Sequence, residues 1–464
     1  MQRRGLPALV TSGIILAGFG FSLAVNWPGH LSYDSVMQLW EGRSGLYNNW
    51  HPPVMAWLLG AFDRLSPGAA LFAAFDAALA SGSFLALAWL YPRTTWWAAG
   101  LAAAAVLLPQ MLLYQGIVWK DVLFADAGLC GFVCLAWATK VWLTPRLRYG
   151  LIGAGAGFLV LAALARQNGV ILLAAGAGAL GWIAALRTGG SRLRAAALYG
   201  GAFLAGTIGA AAAATLALDT RLYDDTGPST QIERLQAYDI IGALKSNPHL
   251  HFTAIERGDP LLDQRMRELG VRYYNPERSD TLLLSPALQS ALLNAKPGVL
   301  AKGWRALILQ HPWTYLRVRA DVFRWVFLTP DISRCVPDYE GVDGPPDVMK
   351  DLGLTERYDA RDEALDNYAA FFAGSPVYSH AAWGAAAAIA LVLLLRRRRP
   401  ADIAMAGLLA GALLCTASFF VISIACDYRY LYVLDLSALA ALFYLALDPS
   451  GFRLRWQTGR THER

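Results

Sequence analysis

The chain has 464 residues, of which 56% are hydrophobic and only 16% charged, and it carries a net charge of +6. A soluble domain has about 25% charged residues, and here the apolar residues come in runs of roughly 20 separated by short charged clusters. That pattern excludes a soluble globular enzyme, a disordered chain, a disulfide-stapled scaffold and a β-barrel, whose strands would alternate over about 10 residues.

Ten apolar stretches predict ten spanning helices, near residues 6–25, 70–91, 95–113, 121–142, 149–165, 167–186, 195–217, 379–395, 401–425 and 429–447. The first is longer than the roughly 7–15 apolar residues of a signal peptide and reads as a retained helix. Lys and Arg gather between the runs, where they orient the chain rather than bind nucleic acid. With the N-terminus in the cytoplasm, seventeen of them fall on cytoplasmic segments, including Arg3, Arg4, Arg396 to Arg399 and the tail 453–464. Five fall on short outer segments: Arg43, Arg64, Lys120, Arg166 and Arg429.

Pro52 to Leu65 is apolar but only 14 residues long, too short to span. If it crossed, every later loop would invert and the Arg396–Arg399 run would face outward. It reads as an interfacial helix on the outer face, with a second short amphipathic helix at Ser35 to Trp40. The fold class is therefore an all-α polytopic membrane protein of about ten transmembrane helices. A transmembrane module covers 1–218 and contains a long first outer loop, 26–69. A polar, mainly helical extracytoplasmic domain follows at 219–378, with helices expected around Ile232–Leu244 and Gly303–Leu328. Closing helices and a basic cytoplasmic tail occupy 379–464.

Ionisable groups inside spans are costly and mark candidate sites. Asp76, Asp126 and Asp435 lie one and a half to two turns from the outer ends of their spans, roughly 9 Å in. Lys120, Asp121, Arg166, Gln167, Asn168, Asp427 and Arg429 stand at span ends on the same side, while the inner halves are nearly clean of charge. Such one-sided polarity suits a cavity open to the outside, and pairing of the acids with Lys120, Arg166 or Arg429 is the structural alternative. The five cysteines have no metal-binding spacing. Cys130, Cys134 and Cys415 fall in apolar runs as packing residues. Only Cys335 and Cys426 can meet an oxidising compartment, and a disulfide between them is one possibility.

The first outer loop reads NWPGHLSYDSVMQLWEGRSGLYNNWHPPVMAWL. Asp34 follows span one, and His51-Pro52-Pro53 opens the interfacial helix. With Asp121 after Lys120 at a later outer segment, and Arg166 before Gly169 further on, this order resembles the GT-C-type integral-membrane glycosyltransferases. It is nearest to the branch that includes the protein O-mannosyltransferases and the lipid A aminoarabinose transferase. The resemblance covers about residues 1–190 in order and spacing. Beyond that, an outer domain and the Arg429-Tyr430 element match in outline. The chain has no Asp-X-Asp or Glu-X-Asp at the second outer loop, which disfavours metal-dependent versions of the fold. No cofactor is implied.

The resemblance implies an enzyme of a bacterial inner membrane with its site facing outward. It would take a sugar from a polyprenyl-phosphate carrier and pass it to a hydroxyl on a lipid, protein or envelope glycan. Asp34 is then the expected base, with Asp121 as the second catalytic acid. Lys120, Arg166 and Arg429 are the expected phosphate-binding cations, and His51 binds phosphate or acceptor. The alternatives are structural: Asp34 as the N-cap of its short helix, His51 as a cap at Pro52, and Lys120–Asp121 as a local ion pair. His311-Pro312-Trp313 with Arg317 and Arg319 belongs either to a surface helix or to the donor phosphate site. A transporter or flippase of a lipid-linked glycan, or a membrane transferase of another group, is the competing function.

Overall fold

The computed structural model describes residues 5–48, 50–91, 94–188, 190–224 and 227–449, the side chains of 223–230 apart. The arginines at 3, 4 and 93 and those of the C-terminal tail, used above for orientation, lie outside the described residues. The chain is helical, and its first half comprises α1 (Leu6–Asn26), α2 (Tyr33–Ser44), α3 (Val54–Asp63), α4 (Ala70–Ala88), α5 (Trp96–Ala105), α6 (Pro109–Leu112), α7 (Lys120–Lys140), α8 (Pro145–Ala165), α9 (Val170–Arg187) and α10 (Arg192–Asp219). The polar middle holds α11 (Gly227–Ser246), α12 (Thr253–Gly258), α13 (Pro260–Arg265), α14 (Val271–Tyr273), α15 (Pro286–Leu293), α16 (Val299–Gln310), α17 (Pro312–Leu328), α18 (Pro346–Leu352) and α19 (Ala360–Ala370). Three helices close the chain: α20 (His380–Arg397), α21 (Pro400–Ile422) and α22 (Tyr432–Leu447).

Among the described residues nine helices are long and apolar enough to cross a membrane. The span expected at 95–113 is not one straight helix. It breaks into α5 and α6, and the pair is bent by 74°. Pro109 explains the break, because proline cannot donate the helical hydrogen bond and its ring disfavours helix in the residue before it. The broken pair still traverses the bundle. Thr95, before α5, donates to Ala446 O at 2.6 Å near the end of α22, whereas Gln115, after α6, donates to Tyr432 at 2.8 Å at the start of α22.

The short apolar segment of the first loop forms α3, ten residues long, packed on α2. The two helices touch backbone to backbone: a Cβ on Gly60 would sit 2.0 Å from Gly42 O, and one on Gly42 would sit 2.2 Å from Ala56 O. Arg43 ties them with a forked pair to Asp63 at 2.9 and 2.6 Å. The helix expected within Ser35–Trp40 is longer at both ends, and its N-cap is Ser32.

The polar block has its own apolar core, built from Tyr238, Ile241, Phe252, Leu262, Met266, Leu288, Leu307 and Val322. Within it the stretch 303–328 divides at His311, because Pro312 starts a new helix. Arg319 is fully buried. It pairs with Asp239 at 2.9 Å and donates to the carbonyls of Phe420 and Ser423 at 2.7 and 2.8 Å, near the end of α21. A cation there satisfies orphan carbonyls and the negative helix end. Arg319 is thus a clamp between the polar block and the bundle, not a phosphate ligand. Cys335 and Cys426 form a disulfide that joins the same block to the α21–α22 loop.

Candidate functional site

Asp34 stands in the first turn of α2, directly after the backbone leaves α1. That turn is held from several sides. Ser35 donates to Val118 O at 2.6 Å, and Trp119 donates to Ser32 at 3.0 Å. His30, 1% exposed, donates through Nε2 to Asn26 Oδ1 at 3.0 Å, and its Nδ1 accepts from Gly341 N at 2.9 Å. Burial, reinforced by the Arg357 charge, lowers His30 to about 4, which keeps it neutral in this joint. Neither the spacing nor the composition signals His30, because the partners of its Nδ1, Gly341 and Arg357, are more than 300 residues away.

The side chain of Asp34 reaches Arg429. Arg429 Nη2 donates to Asp34 Oδ2 at 2.7 Å and to Asp427 Oδ2 at 3.4 Å, and its Nε lies 3.8 Å from Asp121 Oδ2. The other oxygen of Asp121 is in an ion pair with Arg166. On the far side of Asp34, His51 Nε2 lies 3.5 Å from Asp34 Oδ1, and His51 Nδ1 lies 2.6 Å from Lys120 Nζ. An ammonium only donates, so Nδ1 is the acceptor and the ring proton sits on Nε2, facing the carboxylate. Asp34, His51, Lys120, Asp121, Arg166 and Arg429 therefore form one connected cluster at one end of the bundle.

The three structural alternatives for Asp34, His51 and the Lys120–Asp121 pair fail on this geometry. Asp34 is not an N-cap, since Ser32 occupies that position, and α3 begins after Pro53 with the His51 ring turned into the cluster. Lys120 and Asp121 do not pair with each other. Adjacent helical residues point in different directions, so one goes to His51 and the other to Arg166. Aromatic rings fix the guanidinium groups: Arg166 lies 5.1 Å from the Phe419 and Tyr430 rings, and Arg429 lies 4.8 Å from Trp119. As sequence, Trp119 and Phe419 are indistinguishable from an interfacial belt.

Burial works to raise the Asp34 carboxyl, but the His51 contact and the Arg429 charge outweigh it and hold the group well below the usual carboxylate range. Burial and the Lys120 charge lower His51 to about 4, against the opposing pull of Asp34.

The intramembrane acids belong to separate arrangements. Asp435 accepts from Tyr428 at 2.8 Å and lies 2.9 Å from His380 Nδ1. Asp126 accepts from Gln115 at 3.3 Å, with Asp76 beside it. None of the three pairs with Lys120, Arg166 or Arg429. Asp338, Glu340 and Asp366 bring one oxygen each within 4.8 Å of one another, a carboxylate group of the kind that can hold a hard cation. Burial raises Glu340 to about 9 and Asp338 to about 6.

The polar block meets the cluster through Trp50. Gln231 donates to Trp50 O at 2.8 Å and accepts from Gln167 at 2.9 Å. A cavity of about 290 Å³ opens beside this contact, lined by Trp50, Arg234, Ser279, Leu282, Leu292 and Leu300 among others. Comparison of the chain with protein-family models, with characterised proteins and with solved structures finds no match. The multi-pass membrane class is defined by the helices themselves.

Proposed function

We propose that this chain is a glycosyltransferase of a bacterial inner membrane, which moves a sugar from a polyprenyl-phosphate carrier to an acceptor hydroxyl at the outer face. The observation that carries this reading is the meeting of Asp34, His51, Lys120, Asp121, Arg166 and Arg429, drawn from the first loop and three further helix ends, beside the polar block. A carboxylate within reach of an acceptor hydroxyl can take its proton as the oxygen attacks the anomeric carbon. The bond from that carbon to the phosphate oxygen breaks, and the electron pair stays on the phosphate. Arg166, Arg429 and Lys120 are the cations that meet this charge.

Asp34 is the base in this scheme, because it is the more accessible acid: its side chain is 31% exposed against 1% for Asp121. Asp121 anchors Arg166 and the Nε edge of Arg429. The cavity beside Trp50 supports the reading by giving room for part of a substrate. The Cys335–Cys426 disulfide supports an extracytoplasmic orientation, since cystines persist mainly outside the cytosol. The acceptor is a lipid, a protein or an envelope glycan. The test is incubation of purified protein with a panel of radiolabelled polyprenyl-phosphate sugars, with release of the carrier phosphate as the readout. No release from any member of the panel, with a folded protein, would reject the reading.

A further inference from the structure

The cations of the cluster already have partners. Lys120 is on His51, Arg166 is on Asp121, and Arg429 is on Asp34, with Asp427 and Asp121 within 4 Å of it. The carboxylate proposed as base is therefore bound by a guanidinium at 2.7 Å, which stabilises its charged form and suppresses its basicity. The proposed reaction moves negative charge. The acceptor's proton passes to Asp34 and neutralises it, while the phosphate gains a charge as the bond from the anomeric carbon breaks. A guanidinium fixed on Asp34 throughout would stabilise the ground state and oppose the transition state.

We infer that Arg429 changes partner during the cycle, leaving Asp34 for the donor phosphate and so releasing Asp34 to act as base. This rests on the glycosyltransferase reading. Arg429 is the cation placed to make the change. Of the carboxylates these arginines hold, Asp34 is the most exposed, at 31%, so water can solvate it when Arg429 leaves. The competing pair, Arg166–Asp121, has side chains 12% and 1% exposed, and opening it would strand a buried charge. Arg429 keeps two supports while it turns, the Trp119 ring and Asp427. The consequence is an order of events: Asp34 gains basicity only after a phosphate is in place, so the acceptor is activated only when a donor is bound.

The experiment is a double-mutant cycle on the binding of polyprenyl phosphate in detergent micelles, which requires no turnover. Asp34→Asn frees Arg429 and should tighten binding about tenfold, the worth of one charge-assisted contact. Arg429→Gln should weaken binding by a similar factor. In the Arg429→Gln background, Asp34→Asn should change affinity by less than about twofold, because its benefit acts through Arg429. Should Arg429→Gln fail to give a monodisperse protein, Arg429→Met, which keeps the packing on Trp119, takes its place. Tightening of equal size with and without Arg429 would mean simple relief of repulsion and would overturn the switch, as would no tightening at all. A wild-type chain that binds no polyprenyl phosphate fails the glycosyltransferase reading itself. Intact binding that is indifferent to Asp34→Asn fails the switch alone.

Discussion

Asp34 and Arg429 lie 395 positions apart in the chain, yet their side chains meet at 2.7 Å. The contact joins the first loop to the start of the last span, and it places the most accessible acid of the cluster against a cation anchored by an aromatic ring. In the proposed reaction Asp34 receives the acceptor's proton. Asp34→Asn keeps the side chain's size but removes its basicity, so carrier release should fall by about 10² or more. Asp34 lies in the first turn of α2 and not at its N-cap, so loss of its charge costs the helix only the roughly 0.3–1 kcal/mol of a dipole interaction. A folded Asp34→Asn protein with near-normal release would remove Asp34 from the role of base.

The helices were legible because a membrane span needs about 20 apolar residues, a demand that leaves its mark in composition. The cluster was legible for a related reason: ionisable groups are expensive near the bilayer, so Lys120, Asp121, Arg166 and Arg429 stood out at the span ends. Pairing was not legible. Lys120 and Asp121 look like partners in sequence, and only their divergence around the helix sends them to His51 and Arg166. The break at Pro109 was visible as a residue but not as a 74° bend. His30 and Arg319 did not show their roles in sequence, since those roles depend on distant partners: Gly341 N for His30, and Asp239 with the carbonyls of Phe420 and Ser423 for Arg319.

His51 gives a pH signature. Its folded value is about 4, lowered from 6.5 by burial and by Lys120. Between those values the unfolded chain binds the proton and the folded chain does not, so stability is fully present above about 6.5 and declines as the pH falls toward 4. His51→Gln removes this term. The melting temperature of wild type should therefore drop more steeply than that of His51→Gln between pH 6.5 and 4.5. Parallel curves would show that His51 is not held neutral in the fold. His30, with the same direction of shift, contributes equally to both proteins and cancels.

The α2–α3 crossing positions both ends of the first loop, and it depends on two glycines. A methyl group at Gly60 would meet Gly42 O at 2.0 Å, so backbone must move to admit it. Gly60→Ala should destabilise the protein by about 1–3 kcal/mol, the usual cost of overpacking. It should also reduce carrier release, since the shift reaches Asp34 and His51. Gly82→Ala is the control. Nothing lies within 4 Å of its added carbon, and alanine in a helix interior is favourable. Equal melting temperatures for the two variants would show that α2 and α3 are not in this close contact.

The orientation of the site can be read with two single cysteines. Leu65 follows α3 on the side of the cluster and is 77% exposed, and Leu143 lies in the α7–α8 turn at the opposite end and is 94% exposed. The native background is low, because Cys130 and Cys415 are buried, Cys134 is half-buried and Cys335 is bonded to Cys426. The charge bias places position 65 outside and position 143 in the cytoplasm. A thiol reagent that cannot cross the membrane should label Leu65→Cys in intact cells and Leu143→Cys only after lysis. The reverse pattern would put the cluster on the cytoplasmic side, where a carrier whose sugar faces outward could not reach it, and the glycosyltransferase reading at the outer face would fall with the topology. Labelling of both positions in intact cells would break the alternation itself and would mean that the bent α5–α6 pair does not cross.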